Sequence, residues 1–235
     1  FEESVSGYMH RGPGRGSAFV TGEESGGVRM GIMLRHYDQH GGGVKVYTER
    51  LLRSLFDLGS GHQFVLLYRN PALIGTYREE GVEEVVIPGR SILSWDQIAV
   101  PQAVKRHGLD LLYNPKYSIP LFASCPAVWV CHGLDWYVMP WASKPIDRLS
   151  HRFLVPRYAS RAAAIISVFR IMTEHVKHYL RVPADRVVTV YSGVDDVFRT
   201  PLPQARLAEI RARYGLPSRF LLYAGAIYPP KNFTR

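Results

Sequence analysis

Three stretches of this sequence combine residue types that can bind or transfer a charged ligand. The first is a run of three glycines, Gly41, Gly42 and Gly43, which separates an apolar run from a helical pattern. Unpaired backbone amides at the start of a helix attract phosphate, and glycine lets the phosphate come close to the backbone. The run therefore predicts phosphate binding at Gly42 and Gly43. A tight turn without a ligand is the alternative interpretation.

The second stretch, residues 131–136, follows an apolar run and contains a histidine. Ligands of open parallel sheets bind at the carboxyl ends of the strands, where a histidine can contact a hydroxyl or a phosphate. Asp135 adds a polar group and Trp136 an aromatic face, a combination suited to sugars. We therefore expect His132 to act in catalysis and Asp135 and Trp136 to contact the acceptor or the sugar. A structural role for the histidine is the alternative.

The third candidate is Lys231, in a loop that follows an apolar run. A lysine at such a position can offset the charge of a diphosphate, although it can equally be a surface residue. His36 and His40 are weaker candidates near the first predicted strand. The glycine run does not match the G-x-G-x-x-G pattern, which argues against a nicotinamide enzyme.

The elements that would position these residues alternate between strands and helices. Apolar periodicity predicts strands at 30–34, 63–68, 84–87, 109–113, 127–131, 164–168 and 187–191. It predicts helices at 44–58, 95–106, 144–160 and 171–180. Such alternation implies parallel strands with right-handed crossovers. We therefore expect an α/β fold with a Rossmann-like, doubly wound parallel sheet.

Composition changes along the chain predict four segments. Residues 1–29 are rich in glycine and are expected to form a disordered leader, and residues 30–191 to form the Rossmann-like domain. Residues 192–219 contain proline and glycine followed by a helix at 204–214, as expected of a linker. A strand at 220–224 is interpreted as the opening of a second domain, 220–235, that is truncated.

The charge and the cysteines restrict the partners and the compartment. The net charge is +9, but the basic residues are scattered rather than packed into the dense stripes of nucleic-acid-binding proteins. Lys144, Arg148 and Arg152 would share one helix face, which is either a solvated face or a contact for an anionic membrane, lipid or nucleotide. The two cysteines match neither a metal site nor a disulfide framework. We expect a cytoplasmic protein without metal or cofactor, at most peripherally bound to the inner face of a membrane.

Five segments together resemble glycosyltransferase family 4. They are, in order, 41–48 (GGGVKVYT), 131–135 (CHGLD), 162–167 (AAAIIS), 190–195 (VYSGVD) and 225–232 (GAIYPPKN). They are similar to the family's glycine loop, histidine-bearing strand end, strand before a serine-rich turn, interdomain element and donor-domain opening. Ala226 departs from the arginine that many members carry there.

The resemblance implies the N-terminal domain of a GT-B enzyme, with its C-terminal domain truncated. Such enzymes transfer a sugar, here expected to be a hexosyl or mannosyl group, from a nucleotide-sugar to an acceptor hydroxyl with retention of configuration. Gly42, Gly43 and Lys231 would contact the donor diphosphate. His132 would contact the transferred sugar or a glycan or lipid-linked acceptor. The fragment alone is expected to be inactive, and a non-catalytic acceptor-binding or partner-binding module is the alternative.

Overall fold

The computed structural model describes residues 27–38, 42–225, 227 and 231. Its strands are β1 (Arg29–Met33), β2 (Gln63–Tyr68), β3 (Glu83–Val86), β4 (Leu111–Asn114), β5 (Ala127–Cys131), β6 (Ala164–Ser167) and β7 (Val187–Thr189). Its α-helices are α1 (Gly43–Asp57), α2 (Ile92–Ser94), α3 (Val100–His107), α4 (Asp135–Val138), α5 (Pro145–Arg161), α6 (Arg170–Leu180) and α7 (Gln204–Tyr214). The seven strands form one sheet in the order β3-β2-β1-β4-β5-β6-β7, and every pair is parallel.

The sheet is buried on both faces because successive side chains of each strand point in opposite directions. In β2, for example, Val65 and Leu67 belong to the core that contains the buried residues of α3, α5 and α6. Phe64, Leu66 and Tyr68 belong to the opposite core, which contains Leu52 of α1. This two-sided burial explains why the strands are nearly continuous apolar runs in the sequence.

The predicted α/β class and Rossmann-like parallel sheet are confirmed. Each of the seven strands predicted for residues 30–191 is present, with bounds that differ by a few residues. The predicted helix at 95–106 is a continuous helical segment made of α2, a π-helical turn (Trp95–Ala99) and α3. The helix predicted at 204–214 has the expected bounds.

Two predictions are wrong. Arg29, placed in a disordered leader, is the first residue of β1: its backbone N–H donates to Asp110 Oδ2 at 2.8 Å and its side chain forms an ion pair with Glu83. Gly27 and Val28 precede this strand without regular secondary structure, and residues 1–26 of the proposed leader lie outside the described residues. Residues 220–224 are not a strand. A strand needs a hydrogen-bonding neighbour, and no strand of the described chain pairs with this segment, whose Leu221 is fully exposed.

The strand order determines where a ligand can bind. From β1 the chain continues to β2 on one side, whereas β4 and the later strands extend the sheet on the other side of β1. At such a point the loops that follow neighbouring strands separate and leave a crevice outside the carboxyl ends of the strands. The loops after β1, β4 and β5 are therefore the elements that would line a site.

Candidate functional site

The glycine run begins α1 at the carboxyl edge of the sheet. Gly42 is the N-cap residue, with φ of 114° and ψ of 153°, a backbone conformation open almost only to glycine. The carbonyl of Gly42 accepts hydrogen bonds from the amides of Lys45 and Val46, at 3.1 and 3.2 Å. Among the described residues no side chain caps this helix, and its first turn contains no acidic residue. The arrangement suits an anion, because the amides of the first turn and the helix dipole favour negative charge.

His132 follows β5 directly and is held by one hydrogen bond. Its Nε2 lies 2.9 Å from the carbonyl oxygen of Pro115, which can only accept, so Nε2 carries the proton. The pKa of His132 is lowered, first by burial and also by the nearby Lys116 ammonium, against the opposing effect of the Pro115 carbonyl. The ring is therefore biased towards the neutral form, in which Nδ1 carries a lone pair that can accept a hydrogen bond.

An aromatic contact connects His132 to the glycine-initiated helix. The ring of Tyr47, in α1 one turn beyond Gly43, meets the ring of His132 edge-on with 4.8 Å between centroids. The start of α1 and the end of β5 therefore lie at the same edge of the sheet.

A second histidine, His36, lies beneath this surface in the 3-10 turn (Arg35–Asp38) that follows β1. It is 4% exposed, and its Nε2 is 3.1 Å from Thr48 Oγ1. Thr48 Oγ1 donates its only proton to the carbonyl of Val44 at 2.7 Å, so His36 must be the donor. Burial, together with the charges of Lys116 and Arg35, lowers the pKa of His36 to about 3. His36 is therefore neutral and ties the loop after β1 to the first turns of α1.

Arg35, which is partly buried, and Asp96, which is buried, form an ion pair next to the loop that follows β4. Arg35 Nε lies 3.1 Å from Asp96 Oδ1 and Arg35 Nη2 lies 3.3 Å from Asp96 Oδ2, a two-point contact. Nη2 also donates to Ser118 Oγ at 3.3 Å. Burial raises the pKa of Asp96 despite the opposing effect of Arg35. The pair fixes the loop after β1 against the π-helical turn and against the loop that follows β4.

Lys116 is the cation of the site that lacks such a counter-ion. It follows β4 and is partly buried, and burial and the charge of Arg35 lower its pKa. Within the described part of the chain, no carboxylate forms an ion pair with Lys116, while its ammonium lies 5.7 Å from the centre of the Tyr117 ring. A half-buried ammonium beside two histidines and Arg35 gives the crevice a positive potential, which favours an anionic ligand.

Three aromatic side chains close one side of the crevice. The ring of Trp136 in α4 stacks at a tilt on His151 of α5, with 4.4 Å between centroids, and meets Tyr117 at 5.2 Å. His151 Nε2 lies 2.9 Å from the hydroxyl of Tyr117. These contacts bind α4 and α5 to the loop that carries Lys116.

The contact between Tyr47 and His132 places His132 beside the first turns of α1, the helix that begins at Gly43 after the N-cap Gly42. The roles of Gly42, Gly43 and His132 stay predictions. Asp135 is partly exposed at the first position of α4, directly after the loop that carries His132. Trp136 is buried, at 8% exposure, and packs against Tyr117 and His151. Lys231 is exposed, and the residues on both sides of it lie outside the described part of the chain, as do Gly41 and His40. The roles of Asp135, Trp136 and Lys231 stay predictions.

Sequence reasoning missed Arg35, Lys116 and Asp96 and gave little weight to His36. The signal that selected His132, a polar residue directly after a predicted strand, also applies to Arg35 and His36 after β1 and to Lys116 after β4. Asp96 gives no such signal, because it lies within a helical segment and meets Arg35 only in the fold.

Comparisons with known proteins agree with this geometry. The model of a family described as Glycosyltransferase Family 4 matches residues 41–198, a range that includes the glycine-initiated helix, Lys116 and His132. No curated protein matches the sequence. No helix among the described residues has both the length and the apolar character needed to cross a membrane.

Solved structures similar to this chain are GT-B glycosyltransferases. A glycosyltransferase from Rickettsia africae superimposes with a TM-score of 0.56 at 13% identity, over 83% of this chain and 51% of that one. HepE from Anabaena, in complex with UDP and glucose, gives a TM-score of 0.56 at 16% identity, over 80% of this chain and 50% of that one. These identities support the fold alone. The chain spans about half the length of the solved structures that it matches.

Proposed function

Because the chain belongs to glycosyltransferase family 4, we propose that it forms the acceptor-side domain of a retaining glycosyltransferase. In this proposal the complete enzyme transfers a hexosyl or mannosyl group from a nucleotide-sugar to an acceptor hydroxyl. The 235-residue chain is inactive alone, since most donor contacts belong to a second domain, of which residues 220–235 form the opening.

One observation carries the proposal: His132 and the uncapped start of α1 share an edge of the sheet and are joined through Tyr47. A transfer site needs a binding surface for a diphosphate beside a group that contacts a sugar hydroxyl. The amides near Gly42 and Gly43 supply the first, and His132 supplies the second. Stabilising charge that develops on the leaving diphosphate is the main task of such a site.

In the proposed complex each predicted residue has one role. His132 Nδ1 accepts a hydrogen bond from a hydroxyl of the acceptor or of the transferred sugar, because Nε2 is already bound to Pro115. Gly42 and Gly43 approach the donor phosphates, and Lys231 offsets charge on the leaving diphosphate. Asp135 and Trp136 contact the sugar or the acceptor.

The acceptor is proposed to be a glycan or a lipid-linked molecule with an anionic group. Lys116 supports the anionic group, because it is partly buried at the crevice and no carboxylate of the described residues forms an ion pair with it. Structures of HepE hold UDP and UDP-glucose. UDP-sugars are therefore the first donors to test.

Two substitutions of His132 test the role of Nδ1 in the complete enzyme. Glutamine keeps an N–H that can donate to the Pro115 carbonyl but has no second ring nitrogen, whereas alanine loses both. We expect His132→Gln to retain the melting temperature and to lower kcat/KM for transfer roughly tenfold to a hundredfold, as for a lost hydrogen bond in the transition state. His178→Gln, at an exposed position of α6, is the matched control.

If His132→Gln transferred sugar as fast as the wild-type enzyme, the histidine would serve only to hold the loop at Pro115. For the isolated chain, calorimetric titration with UDP and a sensitive transfer assay separate the alternatives. Turnover by the 235 residues would contradict the proposed dependence on a second domain. Acceptor binding by the isolated chain, together with no sugar transfer by the complete protein, would favour the non-catalytic module.

A further inference from the structure

Helix α5 carries a stripe of large apolar side chains on its outer side. Ile146, Leu149 and Phe153 are 70%, 68% and 57% exposed. Their spacing of three and four residues places them on one face of the helix. Trp141, in the 3-10 turn (Pro140–Ala142) that precedes α5, is 72% exposed. We call these four residues the outer face of α5.

The fold of the described residues does not require this stripe. The opposite side of α5 already packs on the sheet through Val155, Tyr158 and Ala159, and its His151 contacts Tyr117 and Trp136. A helix that covers one face of a sheet needs a single apolar stripe and presents polar residues to solvent. A contiguous exposed apolar patch on a helix that is already packed points to a partner.

Basic side chains border the outer face. The Arg157 guanidinium lies over the ring of Phe153, 3.6 Å from its centre, and the Arg152 guanidinium lies 5.3 Å from the centre of the Tyr137 ring. Between Lys144 and Arg161 there are five basic residues and one acidic residue, Asp147. Arg152 and Arg157 thus flank the apolar stripe, whereas helical spacing directs Lys144 and Arg148 away from it.

This chemistry matches an anionic lipid surface. Helices that lie in the membrane interface bury large apolar side chains at the level of the headgroups, with lysine and arginine beside them and tryptophan at the boundary. A second copy of the chain fits poorly, because a symmetric contact pairs the same patch with itself and brings the two sets of arginines together. We propose that the outer face of α5 docks this protein on anionic bilayers.

Helix α5 itself connects the docking surface to the candidate site. The inner side of α5 places His151 against Tyr117, the neighbour of Lys116 in the loop after β4. An acceptor anchored in the bilayer would thus reach the crevice without leaving the lipid surface. This last step rests on the proposed sugar transfer, whereas the docking itself stands without it.

Vesicle co-sedimentation of the 235-residue chain tests the docking. At about 0.15 M salt, where surface charges are partly screened, we expect at least about tenfold tighter binding to phosphatidylcholine vesicles containing phosphatidylglycerol than to phosphatidylcholine alone, because anionic headgroups attract basic residues near the surface. The triple variant I146S/L149S/F153S should weaken binding to the anionic vesicles at least about tenfold.

The triple variant keeps every charge, so it separates this surface from general attraction of a cationic protein to anionic lipid. The matched control is I92S/L93S/I98S, which removes three apolar side chains that are 52%, 56% and 57% exposed in another helical segment. Equal binding by the wild-type chain and I146S/L149S/F153S would overturn the proposal. The wild-type chain could instead fail to bind vesicles and self-associate in a way that only I146S/L149S/F153S abolishes. That result would overturn the proposal in favour of a dimer.

Equal circular dichroism spectra and melting temperatures of both variants would establish that they are folded. Because the vesicles contain neither donor nor acceptor, a failure of this experiment would leave the transfer assay on His132 unaffected. Conversely, if the complete enzyme bound vesicles but transferred no sugar, the proposed docking surface would still be supported.

Discussion

Replacing His36 by glutamine should change how the stability of this protein depends on pH. The histidine pKa is 6.5 in the unfolded chain and about 3 in the native state, where burial and the Lys116 and Arg35 cations disfavour the imidazolium. His132 also lowers the pKa of His36, and the Nε2–H of His36 donates to Thr48 Oγ1. A depressed native pKa contributes stability above pH 6.5 that is lost progressively as the pH falls towards 3.

The magnitude follows from the two pKa values. As the pH falls from about 7.5 to about 5, the unfolded state binds a proton at this histidine and the native state does not. The free energy of unfolding should therefore fall by about 2 kcal/mol from His36 alone. Glutamine keeps an N–H donor for Thr48 Oγ1 but does not titrate, so His36→Gln should lack this contribution.

Urea denaturation monitored by tryptophan fluorescence measures the effect. The difference in unfolding free energy between wild-type and His36→Gln should shrink by about 2 kcal/mol over this pH interval, because other titrating groups cancel in the difference. His178→Gln, whose side chain is exposed, should show no such trend. Parallel stability curves for wild-type and His36→Gln would refute the reasoning that burial keeps this ring neutral.

Two further predictions concern the glycine-initiated helix and the Arg35–Asp96 ion pair. Gly42→Ala should lower stability by about 1–3 kcal/mol because its φ of 114° strains an L-residue. Gly43→Ala, whose added methyl has open space, should instead retain or raise the melting temperature and lower transfer by the complete enzyme about tenfold or more; unchanged transfer would exclude close phosphate approach. Asp96→Ala should lower the unfolding free energy by about 3–5 kcal/mol, since Arg35 stays partly buried without its carboxylate. The double variant R35M/D96L should recover much of this loss in urea denaturation, and equal losses would contradict the ion-pair argument.

Local patterns in the sequence predicted most of the fold. The apolar run 127–131 is β5, and the polar residue after it lies at the edge where a doubly wound sheet binds ligands. Helix α7 has its predicted bounds because proline precedes it and Gly215, with φ of 59°, ends it. Such signals depend on a few neighbouring residues, and the sequence shows them directly.

Contacts between distant segments could not be predicted in the same way. Arg35 and Asp96 are 61 residues apart, and their pairing depends on a π-helical turn that periodicity does not distinguish from an α-helix. Tyr47 meets His132 only because β1 and β5 flank β4 in the sheet. The apolar run 220–224 shows the opposite failure: it has the composition of a strand, but strand formation also requires a neighbour.

The reversal of strand order between β1 and β4 has a consequence for how this scaffold can diversify. The residues that face the crevice lie in loops beyond the last paired residues of the strands, and the backbone register of the sheet does not depend on their side chains. Exposed loop residues after β4 can thus be exchanged between relatives while the same framework is retained, whereas Arg35 and His36 in the loop after β1 are held by Asp96 and Thr48. Libraries for a new acceptor would best randomise Lys116 and Tyr117 and leave the Arg35–Asp96 anchor intact.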